Sequence, residues 1–133
     1  MNQLSQANGQ FRPFLSSQSR IGIINRGEAA VRCIRAIKEY NASFHAQLTS
    51  VVFFLDIEKE NLFVKEADKA YIFSSLPGFI NLKSSPYLDQ EFLIQALKYA
   101  QCSAVWPGWG FLSENAAFVE KLEQEGIVFL GPS

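Results

Sequence analysis

The sequence predicts an α/β fold: an open parallel sheet of about five strands with helices on both faces. Two observations carry this prediction. Short apolar runs free of charge alternate with longer stretches in which apolar residues recur at helical spacing, the pattern of strands and helices in a parallel sheet. The turns between them are short, and 133 residues suit one domain. A domain of that size buries roughly two thirds of its unfolded surface, enough for a core.

Five strands are predicted, at 21–24, 51–55, 70–73, 103–106 and 127–130. Each is short and mostly apolar, as expected of strands covered on both faces. The first helix, 28–40, is the clearest, because Ala30, Cys33, Ile34, Ile37 and Tyr40 fall on one arc at about 100° per residue. Its other side carries Arg32, Arg35 and Glu39 at i, i+3, i+7, a charged stripe that is either a solvated face or a subunit contact.

The stretch 56–68 reads as a charged loop running into a short helix, with Leu62, Phe63 and Ala67 inward. Residues 74–85, with Pro77-Gly78, read as a surface loop to which no chemistry attaches. A second main helix follows Asp89, whose carboxylate suits an N-cap, with Phe92, Leu93, Ala96, Leu97 and Ala100 inward. A third spans 115–125 with Phe118, Val119 and Leu122 inward, and Gly126 stands where a left-handed C-terminal cap belongs.

Composition narrows the function. The residues are 48% hydrophobic and 19% charged, with formal net charge -1, so nothing favours nucleic acid or an acidic membrane as partner. Cys33 and Cys102 lack metal-ligand spacing, and His45 is the only histidine. These facts argue against a zinc site or a histidine-based triad. The thiols read as small buried side chains in a reducing cytoplasm. Residues 1–19, rich in Gln, Ser and Asn, read as a flexible leader without the features of a secretory signal or a membrane span. Its single Arg12 is too little for organelle targeting.

Two strand-to-helix turns hold the candidate chemistry. The first, Asn25-Arg26-Gly27-Glu28, sits where nucleotide-binding α/β proteins carry a Gly-rich phosphate cradle. It has one glycine, and Glu28 sets negative charge at the helix N-terminus, where a phosphate would sit. Asp56, ending the second strand, reads as a turn or cap residue. The second turn is Trp106-Pro107-Gly108-Trp109-Gly110-Phe111-Leu112-Ser113-Glu114-Asn115, which crowds aromatic, hydroxyl, carboxylate and amide groups onto a loop able to approach another surface. A second reading has Ser113 or Asn115 only capping the next helix and the tryptophans only packing. If the first and fourth strands are neighbours, the two turns share one edge. That edge offers Asn25, Arg26, Gly27, Glu28, Trp109, Ser113, Glu114 and Asn115, a set suited to a small polar planar ligand or another domain.

At this point a resemblance is legible. The run Ile24-Asn25-Arg26-Gly27-Glu28-Ala29-Ala30-Val31-Arg32, then Glu66-Ala67-Asp68, Pro86-Tyr87-Leu88-Asp89, the 107–115 loop and Gly126-Ile127-Val128-Phe129-Leu130-Gly131-Pro132-Ser133 resemble, in order, the N-terminal domain of biotin carboxylases. These are the biotin-carboxylating components of acetyl-CoA, propionyl-CoA and pyruvate carboxylases. The resemblance covers residues 20–133, and the ordered combination is specific where each piece alone is weak.

It implies a Rossmann-like, pre-ATP-grasp sheet, followed in the complete enzyme by an ATP-grasp and a C-terminal domain. That enzyme uses ATP, magnesium and bicarbonate to carboxylate biotin on a carrier protein. It further implies that this chain lacks the ATP, magnesium and bicarbonate residues, has no catalytic residue of its own, binds none of these cofactors tightly alone, and is inactive alone. Trp109 matches an aromatic position near the biotin ring, and Glu114 a carboxylate supporting the same site. Arg32, Arg35 and Glu39 match positions of a homodimer contact in bacterial members.

Departures are also visible. Trp106 and Trp109 stand where bacterial members usually have His and Tyr, and look more like eukaryotic acetyl-CoA carboxylases, whereas Phe111-Leu112 is bacterial in type. The connections at 41–50 and 74–85 are longer than usual. The main alternative is a stand-alone, non-catalytic module that binds a carboxylase subunit or itself. A generic nucleotide-binding domain is a third reading, weakened by Glu28 and the missing glycines.

Overall fold

The computed structural model describes residues 16–108 and 115–131. Five strands, β1 (Arg20–Ile23), β2 (Thr49–Phe54), β3 (Lys69–Ile72), β4 (Ala104–Trp106) and β5 (Val128–Phe129), form one sheet in the order β3-β2-β1-β4-β5. All pairings are parallel, with Gly22 of β1 opposite Val51 of β2 and Val105 of β4. Among the described residues the α-helices are α1 (Gly27–Phe44), α2 (Leu62–Glu66), α3 (Gln90–Tyr99) and α4 (Ala116–Gln124). All five expected strands are present. β1, β2 and β3 begin a residue or two earlier than apolar runs indicate, because the ladder also recruits Arg20, Thr49, Ser50 and Lys69.

Alternation along each strand divides the core in two. Ile21 and Ile23, with Val52, Ala104 and Val128, face α1 and α2, where Val31, Ile34, Ile37 and Phe63 meet them. Ile24, Val51, Phe53 and Val105 face the other way, onto Phe92, Leu93, Leu97, Phe118 and Leu122 of α3 and α4. The side-chain period of two thus supplies both layers of an α/β sandwich from the same strands. Gly22 lies where α3 comes closest to the sheet: a Cβ there would run into the Leu97 methyl and the Cys102 thiol.

The caps follow the sequence reading. Asp89 accepts the Phe92 amide at 2.9 Å, and Asn115 the Phe118 amide at 3.0 Å. Gly126 has φ +76° just beyond α4. Three details differ. α1 runs on to Phe44 and stops at His45 with φ +53°; beyond it the Asn41 side chain bonds both the N–H (2.8 Å) and the carbonyl (3.0 Å) of Leu48. Leu62 faces solvent, 52% exposed, since a single short turn buries only Phe63. β3 is not covered on both faces: it is an edge strand, with exposed Lys69 and Ala70. Ser16 to Ser19, placed in the leader by sequence, form a turn bonded to the start of β2 through Ser17 and Ser19 carbonyls. No described helix is long and apolar enough to cross a membrane.

Cys33 and Cys102 are buried and free, and burial raises both thiols to about 12. The unfolded chain releases these protons near pH 8.5, so above that pH it binds fewer protons than the folded chain and stability falls. Each thiol should then remove about 1.4 kcal/mol per pH unit once the pH is well past 8.5. Urea denaturation under reducing conditions between pH 7.5 and 10 measures this loss, and Cys33→Ala or Cys102→Ala should flatten it.

Candidate functional site

The direction in which the chain leaves β1 reverses relative to β4: β2 and β3 build out on one side, β4 and β5 on the other. The connections that leave the carboxyl ends of β1 and β4 therefore pass to opposite faces of the sheet, the place where open α/β sheets receive ligands. The Ile24 amide donates to the Trp106 carbonyl at 3.0 Å, carrying the ladder one step past β1. Asn25 continues the link with its side chain, whose Nδ2 donates to the Pro107 carbonyl at 3.0 Å while Oδ1 accepts the Arg26 amide at 2.8 Å. The described start of the second turn, Trp106 to Gly108, thus lies beside the first turn.

Past Pro107, Gly108 adopts φ +72°, and a Cβ on it would press on the Asn25 amide nitrogen and the Trp106 ring. Both the left-handed backbone and the space require glycine there. Trp109, Ser113 and Glu114 lie outside the described residues. Asn115 is described, and its side-chain oxygen is engaged in capping α4.

Arg26 is not a free cation at this edge. Its Nε pairs with Glu58 Oε2 at 2.9 Å, and its guanidinium carbon lies 5.0 Å from the centre of the Tyr87 ring. Glu58 is only 3% exposed. Its Oε1 also accepts the Leu55 amide at 2.8 Å and lies 3.0 Å from the Tyr87 hydroxyl, which is 3.1 Å from the Phe53 carbonyl as well. Burial, and next the Glu58 charge, push the Tyr87 phenol far above its ordinary range, so it stays a proton donor. This buried carboxylate and its phenol partner escaped the sequence reading. The signal was present: Glu58 follows the end of β2, on the same edge as Arg26, but Asp56 drew attention as the acid nearer the strand.

Three further charges of α1, Glu28, Arg32 and Arg35, are paired. Glu28 bonds Arg32 at 2.8 Å across one helical turn, with both side chains 78% exposed, a pair worth a few tenths of a kcal/mol. Arg35 forks onto Glu66 of α2 through Nε (3.2 Å) and Nη2 (3.0 Å), and those bonds hold the Glu66 carboxyl below its usual range. Glu39 is exposed on the same side. Asp68, of the same motif as Glu66, accepts the Ser50 amide at 2.9 Å and returns its own amide to the Ser50 hydroxyl at 2.9 Å, joining β2 to the start of β3. Among the described residues no three His, Cys, Asp or Glu side chains gather to hold a metal ion. No phosphate cradle exists in the first turn either, where Gly27 is followed at once by Glu28.

With the geometry in hand, comparison with known proteins is informative. Residues 17–133 match the family model described as biotin carboxylase, N-terminal domain. The chain is 37% identical over 116 residues to the mitochondrial methylcrotonoyl-CoA carboxylase subunit alpha of Mus musculus, covering 87% of this chain and 15% of that protein. It is 35% identical to biotin carboxylase 2 of Bacillus subtilis, covering 86% of this chain and 23% of that one. Among solved structures, the biotin carboxylase domain of a single-chain bacterial carboxylase superposes with a TM-score of 0.70 at 34% identity, over 87% of this chain and 24% of the other. Biotin carboxylase from Campylobacter jejuni, in its β,γ-ATP complex, gives 0.68 at 33%, over 86% and 23%. The chain thus spans less than a quarter of each of these four relatives.

The network around Glu58 makes a prediction. Arg26→Ala leaves a buried carboxylate without its cation and should cost about 3 kcal/mol. Glu58→Gln in that background removes the stranded charge while keeping acceptors for Leu55 and Tyr87. Urea denaturation of the two single variants and the double should show more than half of the loss recovered.

Proposed function

This chain belongs to the family of biotin carboxylase N-terminal domains, and on that premise we propose that it serves as one part of a biotin-dependent carboxylase. The complete enzyme would carboxylate carrier-bound biotin with bicarbonate at the expense of ATP. This domain, residues 20–133 after a leader, contributes one wall of the biotin site and a subunit contact. The observation that carries the reading is coverage: nearly the whole chain matches, yet it accounts for 23% of a relative named for this reaction. A part of that size, with the β1/β4 strand ends as its open edge, fits a site completed by other domains.

The residues sort accordingly. Trp109 offers a ring for the planar ureido system and Glu114 a carboxylate to support it, with Asn25, Arg26, Gly27, Glu28, Ser113 and Asn115 along the strand-end edge. Nothing among the described residues fits ATP or magnesium: Glu28 opposes phosphate and the acids are dispersed or paired. Those ligands belong to the ATP-grasp and C-terminal domains, and no chemical step is assigned to this chain. Arg32, Arg35 and Glu39 lie together on the exposed side of α1, which supports their use in a homodimer; one solved relative is described as a biotin carboxylase domain dimer. A cytoplasmic setting suits two free, buried thiols.

The test is complementation. The chain is added to a biotin carboxylase polypeptide from which the N-terminal domain has been deleted, and biotin- and bicarbonate-dependent ATP hydrolysis is followed. Turnover should appear only in the mixture, and Trp109→Ala should lower kcat/KM for biotin about tenfold, a loss of about 1.4 kcal/mol, with the KM for ATP unchanged. Turnover by the chain alone would overturn the reading. So would an inactive mixture, when the deleted polypeptide is rescued by its own domain.

A further inference from the structure

Resting on that reading, we propose that Ile57, Ile80 and Leu88 form a docking surface for another domain of the same carboxylase. Ile57 and Ile80 stand almost wholly in solvent, 87% and 91% exposed, and Leu88 is 58% exposed. Ile57 lies in the turn after β2, and Ile80 and Leu88 lie in the connection between β3 and α3. All three therefore sit at the carboxyl end of the sheet, the end that carries the Arg26 turn. Tyr87, next to Leu88, bonds Glu58, next to Ile57, at 3.0 Å. Ile80 and Pro86 line one groove with Leu76 and Phe79. Beneath, the Tyr87 ring packs on Phe73 and the Phe79 ring on Phe92. Exposed apolar side chains scattered singly need no explanation, but a group of them on connections anchored to the core marks an interaction surface.

The charge beside this surface is already balanced. Arg26 is half-exposed, pairs with the buried Glu58 carboxylate and lies over the Tyr87 ring. A domain that covered it would bury a cation with its counter-ion in place, and so avoid the penalty of a lone desolvated charge. The occupant follows from size and place. The matched part is 23% of the Bacillus subtilis relative, so most of such a protein lies outside it, and the domains that complete the proposed biotin site would stand at this same end. A second copy of the chain has a separate surface, the charged side of α1.

Calorimetric titration of the full chain into the carboxylase polypeptide lacking its N-terminal domain tests this. Ile57→Ser/Leu88→Ser should raise Kd at least tenfold. Phe44→Ser and Tyr99→Ser should leave it within twofold: these side chains are 60% and 58% exposed but end α1 and α3, at the amino end of the sheet. Far-UV circular dichroism checks that each variant is folded, and Ile80→Ser replaces the double variant if that one is not.

An unchanged Kd in the folded surface variants, beside tight binding and turnover by the parent, overturns this inference and leaves the proposed function standing. A parent chain that fails to bind the polypeptide, when the polypeptide's own domain rescues it, overturns both. Sedimentation of the chain alone reads the other occupant: a dimer that the same substitutions dissociate would assign the surface to a second copy and overturn the proposal.

Discussion

A parallel sheet covered on both faces must send its crossover helices to both sides, and right-handed crossovers allow this only if the strand order reverses somewhere. Here the reversal falls between β1 and β4, and the rest of the structure depends on it. It puts α1 on one face and α3 and α4 on the other, divides Ile21 and Ile23 from Ile24, and sets the start of the second strand-to-helix turn beside the first. Gly22, on the central strand, lets α3 close over the sheet without pushing the neighbouring strands apart.

That edge is ordered by polar contacts that leave little free charge. Arg26 is committed to a carboxylate that is almost wholly buried, and Glu58 in turn is held by a backbone amide and a phenol. The carboxylate is buried and its cation half-exposed, so any arrangement that separates the two is penalised by a stranded buried charge. Its effect here is to tie the exits of β1 and β2 to the turn before α3. Asn25 does the same between β1 and β4. The edge is thus tied together by polar contacts where it is described.

Membership of the biotin carboxylase N-terminal family agrees with this distribution of groups. A domain that held ATP itself would need glycines and cations in the first turn, and this one has an exposed glutamate paired with Arg32. Its polar groups hold loops in place, and the charges left on α1 face outward.

The division between sequence and tertiary structure follows from the range of the interactions. Strand number, most of the inward residues and the Asp89 and Asn115 caps were legible, because each depends on a period or a side chain acting within a few residues. Edge effects were not: apolar pattern alone could not tell that β3 lies at the rim or that Leu62 turns outward. Nor did spacing show that Arg26 reaches Glu58 and Tyr87, or that Asn25 reaches Pro107. Arg26 and Glu58 lie 32 residues apart (58 − 26) and Asn25 and Pro107 82, and only the closing of the sheet brings them together. The sequence by itself determined the α/β sheet, its helices and the family. Tertiary structure decided which polar groups are buried, because burial and long-range pairing are properties of the packed layers rather than of any local segment.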